Sequence, residues 1–217
     1  MAPLDFKKAD RALYEPGTTP VLVDVPAMRF LTVEGRGDPN TAPAYAAAVE
    51  ALYAVAYTIK MSPKGPVVPP GYVDYVVGPL EGLWWFDDGA GVTGPTGIAE
   101  RKDDFRWLAM IRQPDFVTPD VLDWALGAAR AKKKLPAGGA PVALEEFTEG
   151  LCAQVMHIGP YDDEPATVAA LEAFIAASGH RTQMDGRRQH HEIYLGDPRR
   201  TAPDKLRTVL RHPVVPA

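Results

Sequence analysis

One pattern occurs twice in this chain, and a duplicated pattern restricts the fold more than any single motif. The helix-like run Ala48-Val49-Glu50-Ala51-Leu52-Tyr53 has a counterpart in Ala170-Leu171-Glu172-Ala173-Phe174-Ile175. Each follows a β-like run and a turn rich in Gly, Pro and Asp, at residues 29–35 before the first and 154–161 before the second. Two further β-like runs come after each helix. In the first half they are Glu81-Gly82-Leu83-Trp84-Trp85 and Met110-Ile111-Arg112-Gln113-Pro114; in the second, Glu192-Ile193-Tyr194-Leu195 and Val209-Leu210-Arg211-His212-Pro213. A repeated β-α-β-β unit predicts an α+β fold with two modules around a pseudo-twofold axis. The expected architecture is an antiparallel sheet with helices on one face and a ligand cleft at the inter-repeat seam. The chain reads as one domain over residues 1–217, with a first repeat near 20–134, a Pro/Gly linker at 135–141 and a second repeat near 142–214.

Periodicity places the elements. Tyr45, Val49, Leu52, Tyr53, Ala56 and Ile59 recur at helical spacing, and Asn40 or Thr41 is the expected N-cap of a helix ending near Lys60. Thr118-Pro119-Asp120 opens a second helix, and Asp162-Asp163-Glu164-Pro165 a third that Gly179 terminates. Strands are expected at residues 21–25, 28–33, 72–77, 83–86, 105–111, 143–147, 153–158, 190–195 and 208–210. Residues 1–19 read as a polar surface segment, and residues 87–97 as a Gly-rich turn.

Several function classes are excluded. A net charge of −5 disfavours nucleic acid, which is held by Lys and Arg against phosphates. The basic run Arg130-Ala131-Lys132-Lys133-Lys134 sits at an expected helix C-terminus, where the dipole favours cations. A single cysteine, Cys152, permits neither an internal disulfide nor a multi-cysteine zinc site. No signal-peptide pattern and no apolar run of roughly 18 residues is present, so a cytoplasmic protein with no membrane partner is expected. There is no Gly-x-Ser-x-Gly elbow, no phosphate-binding loop and no dinucleotide fingerprint.

The residues left to carry chemistry are polar and aromatic ones on the β-like runs. Glu192 and Tyr194 alternate, so a carboxylate and a phenol share one sheet face. If that face meets the cleft, Glu192 suits binding of a cationic aromatic ligand or general-base work; on an exposed face it is a solvated strand glutamate. Glu81 is its expected repeat mate. Trp84 and Trp85 point to opposite faces, so one can line a cleft while the other is core. Tyr161 sits at a turn from which its hydroxyl could enter the cleft. Tyr53 on the first helix is a further candidate wall, and His157 either meets the ligand or is an ordinary strand histidine. Adjacent His190 and His191 point apart and cannot together chelate one ion. No metal and no cofactor are expected.

The segment Pro-Leu-Glu-Gly-Leu-Trp-Trp at 79–85, the turn His-Ile-Gly-Pro-Tyr-Asp at 157–162 and the strand Glu-Ile-Tyr-Leu-Gly-Asp-Pro at 192–198, set in tandem β-α-β-β repeats, resemble the GyrI-like small-molecule-binding domain family. The resemblance spans about residues 20–214. It implies two small α/β modules with an aromatic cleft, in which a glutamate meets cationic, lipophilic drugs. Glu192 matches that glutamate, with Trp84, Trp85, Tyr161 and Tyr194 as walls. Members that regulate transcription carry a helix-turn-helix module, for which the residues before the first strand are too few. The chain therefore resembles the stand-alone branch, some members of which add water to cyclopropane-containing genotoxins. Three functions follow from the resemblance: a binding protein for planar small molecules, a cofactor-independent hydrolase of such molecules, and a protein-interaction module of the gyrase-inhibitor kind.

Overall fold

The structure is a computed structural model, which describes residues 2–88 and 101–217. The expected Gly-rich turn at 87–97 lies mostly outside the described residues. Two short helices, α1 (Phe6–Ala9) and α2 (Arg11–Tyr14), precede the long strand β1 (Val21–Arg36). Then follow α3 (Pro43–Lys60), β2 (Leu80–Trp85), β3 (Arg106–Gln113) and α4 (Pro119–Ala131). The second half contains β4 (Ala143–Ile158), α5 (Glu164–Ala177), β5 (His180–Thr182), β6 (His190–Tyr194) and β7 (Arg207–Pro216).

Every strand pair in the ladder is antiparallel, in the order β4-β1-β3-β2-β6-β7-β5. A further pairing, Cys152↔Pro213 through Ile158↔Arg207, joins β7 back to β4. Six strands thereby close into a barrel, with β5 appended to β7. The antiparallel sheet matches the expectation, whereas the closure does not follow from it. Closure satisfies both sheet edges, which would otherwise expose unpaired N–H and C=O groups.

Alternation along the strands sorts side chains into two faces. Leu31, Val33, Trp84, Trp107, Ala109 and Ile111 form the outer face that α3 and α4 cover, through Leu52, Val55, Ile59, Val121 and Ala125. On the outer face of the other half, Ala153, Val155 and Leu210 pack on Val168, Leu171 and Ile175 of α5. The inner face carries Phe30, Leu83, Leu108, Met110, Met156, Ile193 and Val209. Phe6, Leu13 and Tyr14 join that inner cluster. Residues 1–19 are thus not the expected polar surface segment. The Arg211 guanidinium donates to the Leu13 carbonyl at 2.8 Å, and the Met156 N–H to Gly17 at 2.9 Å.

Local chemistry explains the element ends. Thr118 caps α4 by accepting from the Val121 N–H, with Pro119 in the first turn. Gly179 adopts φ +73° after α5, a conformation that favours glycine. The N-cap of α3 is Ala42 and not Asn40 or Thr41; Asn40 is engaged by the Asp38 carboxylate instead. Residues 72–77 form no ladder strand. They offer one bridge, Leu4↔Tyr75, to the N-terminal segment. Residues 21–25 and 28–33 are one strand, as are 143–147 and 153–158. No helix among the described residues is long and apolar enough to cross a membrane.

Candidate functional site

The register of β2 against β6 decides which residues can act together. Gly82 pairs with Glu192, Leu80 with Tyr194 and Trp84 with His190. Paired residues share a face, so Trp84, His190, Glu192 and Tyr194 all project outward. Glu81 pairs with Ile193 and Leu83 with His191, so these project inward. Glu81 and Glu192 therefore lie on opposite sides of the sheet. Position 82, not position 81, is the one that faces Glu192.

On the outer face, Glu192 keeps 15 % of its side chain exposed and is held from both sides. The Tyr194 hydroxyl donates to its Oε2 at 2.7 Å, and the Trp84 indole N–H donates to the Tyr194 oxygen at 3.1 Å. Its Oε1 lies 3.1 Å from His190 Nε2. His190 Nδ1 is 2.7 Å from His212 Nε2, and His212 Nδ1 is 2.6 Å from Glu172 Oε1. Glu172 accepts in turn from the Thr182 hydroxyl at 2.9 Å. A continuous hydrogen-bonded chain thus runs from Trp84 to Thr182 across β2, β6, β7, α5 and β5.

Two aromatic side chains flank this chain. The Tyr161 ring stands edge-on to Tyr194 at 5.7 Å. The Tyr45 ring, from α3, lies 5.7 Å from Trp84 and 5.0 Å from Trp107. Tyr161 is pushed up to about 12, by burial first and then by the charges of Glu164 and Glu192. Tyr194 and Tyr45 are raised by burial and then by Glu192. These phenols remain protonated donors at neutral pH. Burial holds His212 below the usual histidine range. Glu172 stays below the ordinary carboxylate range because the His212 hydrogen bond and charge outweigh the effect of burial.

Glu164, the first residue of α5, completes the outer array. It is buried, and its carboxyl meets the Thr208 hydroxyl of β7. Burial, and then the neighbouring Glu192, push its carboxyl well above the ordinary range. A carboxyl oxygen of Glu164, one of Glu192 and a ring nitrogen of His190 fall within 4.8 Å of one another.

The inner face holds a different polar group. His191 lies between Glu149, 3.0 Å from Nδ1, and Glu81, 3.0 Å from Nε2. The Arg211 guanidinium donates to Glu149 at 2.8 Å, and the Tyr14 hydroxyl to Glu81 at 3.0 Å. Burial disfavours the His191 cation, but the Glu149 charge and bonds to both carboxylates outweigh it and raise the pKa. Glu149 is held down at about 2, since His191 and Arg211 overcome its burial. Two acidic side chains, an imidazole and a guanidinium thus form one hydrogen-bonded group inside the barrel.

The sequence-derived candidates are accordingly divided. Glu192, Tyr194, Tyr161 and Trp84 meet on the outer face, although Trp84 is only 4 % exposed and supports Tyr194 from beneath. Tyr53 is half-buried on α3, beside Tyr57 and the Leu80 backbone. Glu81 and Trp85 belong to the inner face and do not reach Glu192, because strand alternation turns them away. His157 has both ring nitrogens engaged, with Thr167 at 2.8 Å and the Pro160 carbonyl at 3.0 Å, and ties β4 to α5. Tyr45, Glu164, His190, His212 and Glu172 went unrecognised as site residues. Their signal was parity: His190 and Glu192 alternate on one strand, and His212 lies in the run that follows.

These features coincide with a known family. The chain belongs to the GyrI-like small-molecule-binding domain family, whose model matches residues 18–215. It is similar to a hydrolase from Listeria innocua, with 44% identity over 98% of this chain and 100% of that one, and a TM-score of 0.86. A further Listeria innocua hydrolase structure shares 43% identity over 99% of this chain and 100% of that one, with a TM-score of 0.87. The EcmrR C-terminal domain shares the fold, with a TM-score of 0.53 and 11% identity over 92% of this chain and 98% of that one. No curated protein matches the chain.

Proposed function

We propose that this protein binds a planar, electrophilic small molecule beside Glu192 and hydrolyses it. The observation that carries the reading is the coupling of Glu192 to His190, His212 and Glu172 through contacts of 3.1, 2.7 and 2.6 Å. A site that merely attracts cationic ligands needs a carboxylate, but not a buried path of proton carriers behind it. On this reading the ligand lies on the outer face of the β2–β6 pair, on the side of Tyr45 from α3 and Glu164 from α5. Tyr161, Tyr194, Tyr45 and Tyr53 supply aromatic faces on that side.

For a cyclopropane-bearing alkylating agent, Glu192 accepts a proton from water while the water oxygen bonds to a ring carbon. The strained C–C bond breaks, and its electron pair passes through the conjugated system to the ligand carbonyl. A phenol, that of Tyr161, hydrogen-bonds the developing oxyanion, which finally takes up a proton. The net change is addition of one water. The resemblance to Listeria innocua hydrolases along the whole chain supports this reading.

The test is mass spectrometry of a planar cyclopropane-bearing agent incubated with the full chain. The expected result is a time-dependent gain of one water that Glu192→Gln abolishes while binding persists. Tight binding to the unmodified chain with no mass change would reduce the function to small-molecule binding alone.

A further inference from the structure

The proposed hydrolysis moves two protons, and Glu192 accounts for one of them. It takes a proton from water, while the oxyanion formed on the ligand needs a proton from elsewhere. Tyr161 hydrogen-bonds that oxygen but is a poor source, since its phenol is pushed up to about 12. His190 has both ring nitrogens engaged, at 2.7 Å with His212 and 3.1 Å with Glu192. Glu164 lies on the same side. It opens α5 and is 8 % exposed. Its neighbours are the Thr208 hydroxyl of β7, Glu192 and His190 of β6, and Asp162 and Tyr161 of the turn before α5. Asp162 faces solvent and pairs with Lys102 at 3.2 Å. No lysine or arginine pairs with Glu164 or Glu192 among the described residues. Two neighbouring carboxyls without such a partner do not both ionise readily, and the charge settles on the better-solvated one. Glu192 accepts from the Tyr194 hydroxyl at 2.7 Å and keeps a partly exposed side chain. Glu164 is the more deeply buried of the two, and it holds its proton well above the ordinary carboxyl range.

We propose that Glu164 is the general acid of this reaction, giving its proton to the ligand oxyanion while Glu192 takes one from water. The role rests on the hydrolysis reading, in which the ligand lies on the side of Glu164 and so meets its carboxyl. The electron pair of the strained C–C bond ends on the carbonyl oxygen. There the Glu164 O–H bond breaks and a ligand O–H bond forms, which leaves Glu164 a carboxylate and Glu192 a carboxylic acid. The two side chains have then exchanged protonation states. Their oxygens lie within 4.8 Å of each other, so one proton passed from Glu192 to Glu164, directly or through a water, restores both. Each cycle adds one water to the ligand and trades no proton with the solvent. Acid and base at a single pH call for two groups whose surroundings favour opposite protonation states, which the buried and the partly exposed carboxyl provide.

Glu164→Gln keeps the shape and neutrality of the carboxylic acid and removes its acidic proton. With the cyclopropane-bearing agent, kcat of the full chain is expected to fall about 10²-fold or more while KM changes little. In the unmodified chain kcat falls as pH rises through the point where Glu164 ionises, at a pH below that of Tyr161. The variant loses this alkaline decline and keeps the rise on the acid side, which needs Glu192 ionised. Its deficit shrinks for an agent with an electron-withdrawing group on the carbonyl system, because a less basic oxyanion needs less help. A variant within about threefold of the unmodified kcat, or one that keeps the alkaline decline, overturns the role and leaves the hydrolysis standing. If Glu164→Gln melts early by circular dichroism, the unmodified chain decides: an alkaline decline below about pH 10 supports the role, and a level kcat overturns it. No gain of water with the unmodified chain refutes the hydrolysis itself, and the acid with it.

Discussion

Replacing Glu149 by Gln probes the charge network inside the barrel. Glu149 is fully buried, accepts from Arg211 at 2.8 Å and faces His191 Nδ1 at 3.0 Å, with Glu81 beyond His191 and Cys152 alongside. Its pKa falls from the ordinary 4.5 to about 2. A carboxylate depressed on folding contributes stability above its unfolded pKa, and the contribution fades as pH falls through the folded value. The size of the shift corresponds to about 3 kcal/mol at pH 7, of which about 2 kcal/mol is gone by pH 3. The same order is found when one partner of a buried ion pair is removed. Urea unfolding of the unmodified protein and Glu149→Gln, at pH 7 and again near pH 3, measures both. The variant is expected to be about 3 kcal/mol less stable at pH 7, with the gap shrinking to about 1 kcal/mol at pH 3. A gap below about 1 kcal/mol at pH 7, or one that does not change with pH, would refute the reasoning.

Two other substitutions test the packing on either side of β2. A Cβ at Gly82 would sit 2.8 Å from Trp84 Nε1, so Gly82→Ala is expected to displace the indole from Tyr194 and cost about 1–3 kcal/mol. A shift in tryptophan fluorescence together with a lower melting temperature would register it, and an unchanged spectrum would count against the contact. Tyr14→Phe removes the donor to buried Glu81 and is expected to cost about 1–3 kcal/mol. Faster proteolysis within residues 1–19 should accompany the loss, and an unaltered cleavage rate would show that the bond does not anchor that segment.

The helices were legible because their apolar residues recur at helical spacing and their starts carry strong signals. Thr118-Pro119 and Gly179 mark ends by chemistry that acts within a few residues. Closure of the barrel was not legible. It depends on β7 meeting β4, a pairing between distant segments that no local pattern encodes. The N-terminal segment was misread because Phe6, Leu13 and Tyr14 are too sparse among charged neighbours to show a periodic stripe. In the site, Glu192 and Tyr194 could be placed on one face by alternation alone. Glu81 was matched to Glu192 by similarity of residue type, but the β2–β6 register sets Gly82 opposite Glu192. Parity within a strand was readable, whereas register between strands had to be seen.

Strand β7 gives this architecture an order of assembly. It follows the other six described strands in sequence, and it pairs with β4, β5 and β6. It also brings His212 to His190 on one face and Arg211 to Glu149 on the other. During synthesis, neither the hydrogen-bonded chain behind Glu192 nor the interior polar network can exist until these residues have left the ribosome. Until then β4 and β6 carry open edges, and the nascent chain has the exposure that invites strand exchange between copies. Completion of the barrel and assembly of both polar arrays are therefore a single event, and a chain in which β7 is unpaired has neither.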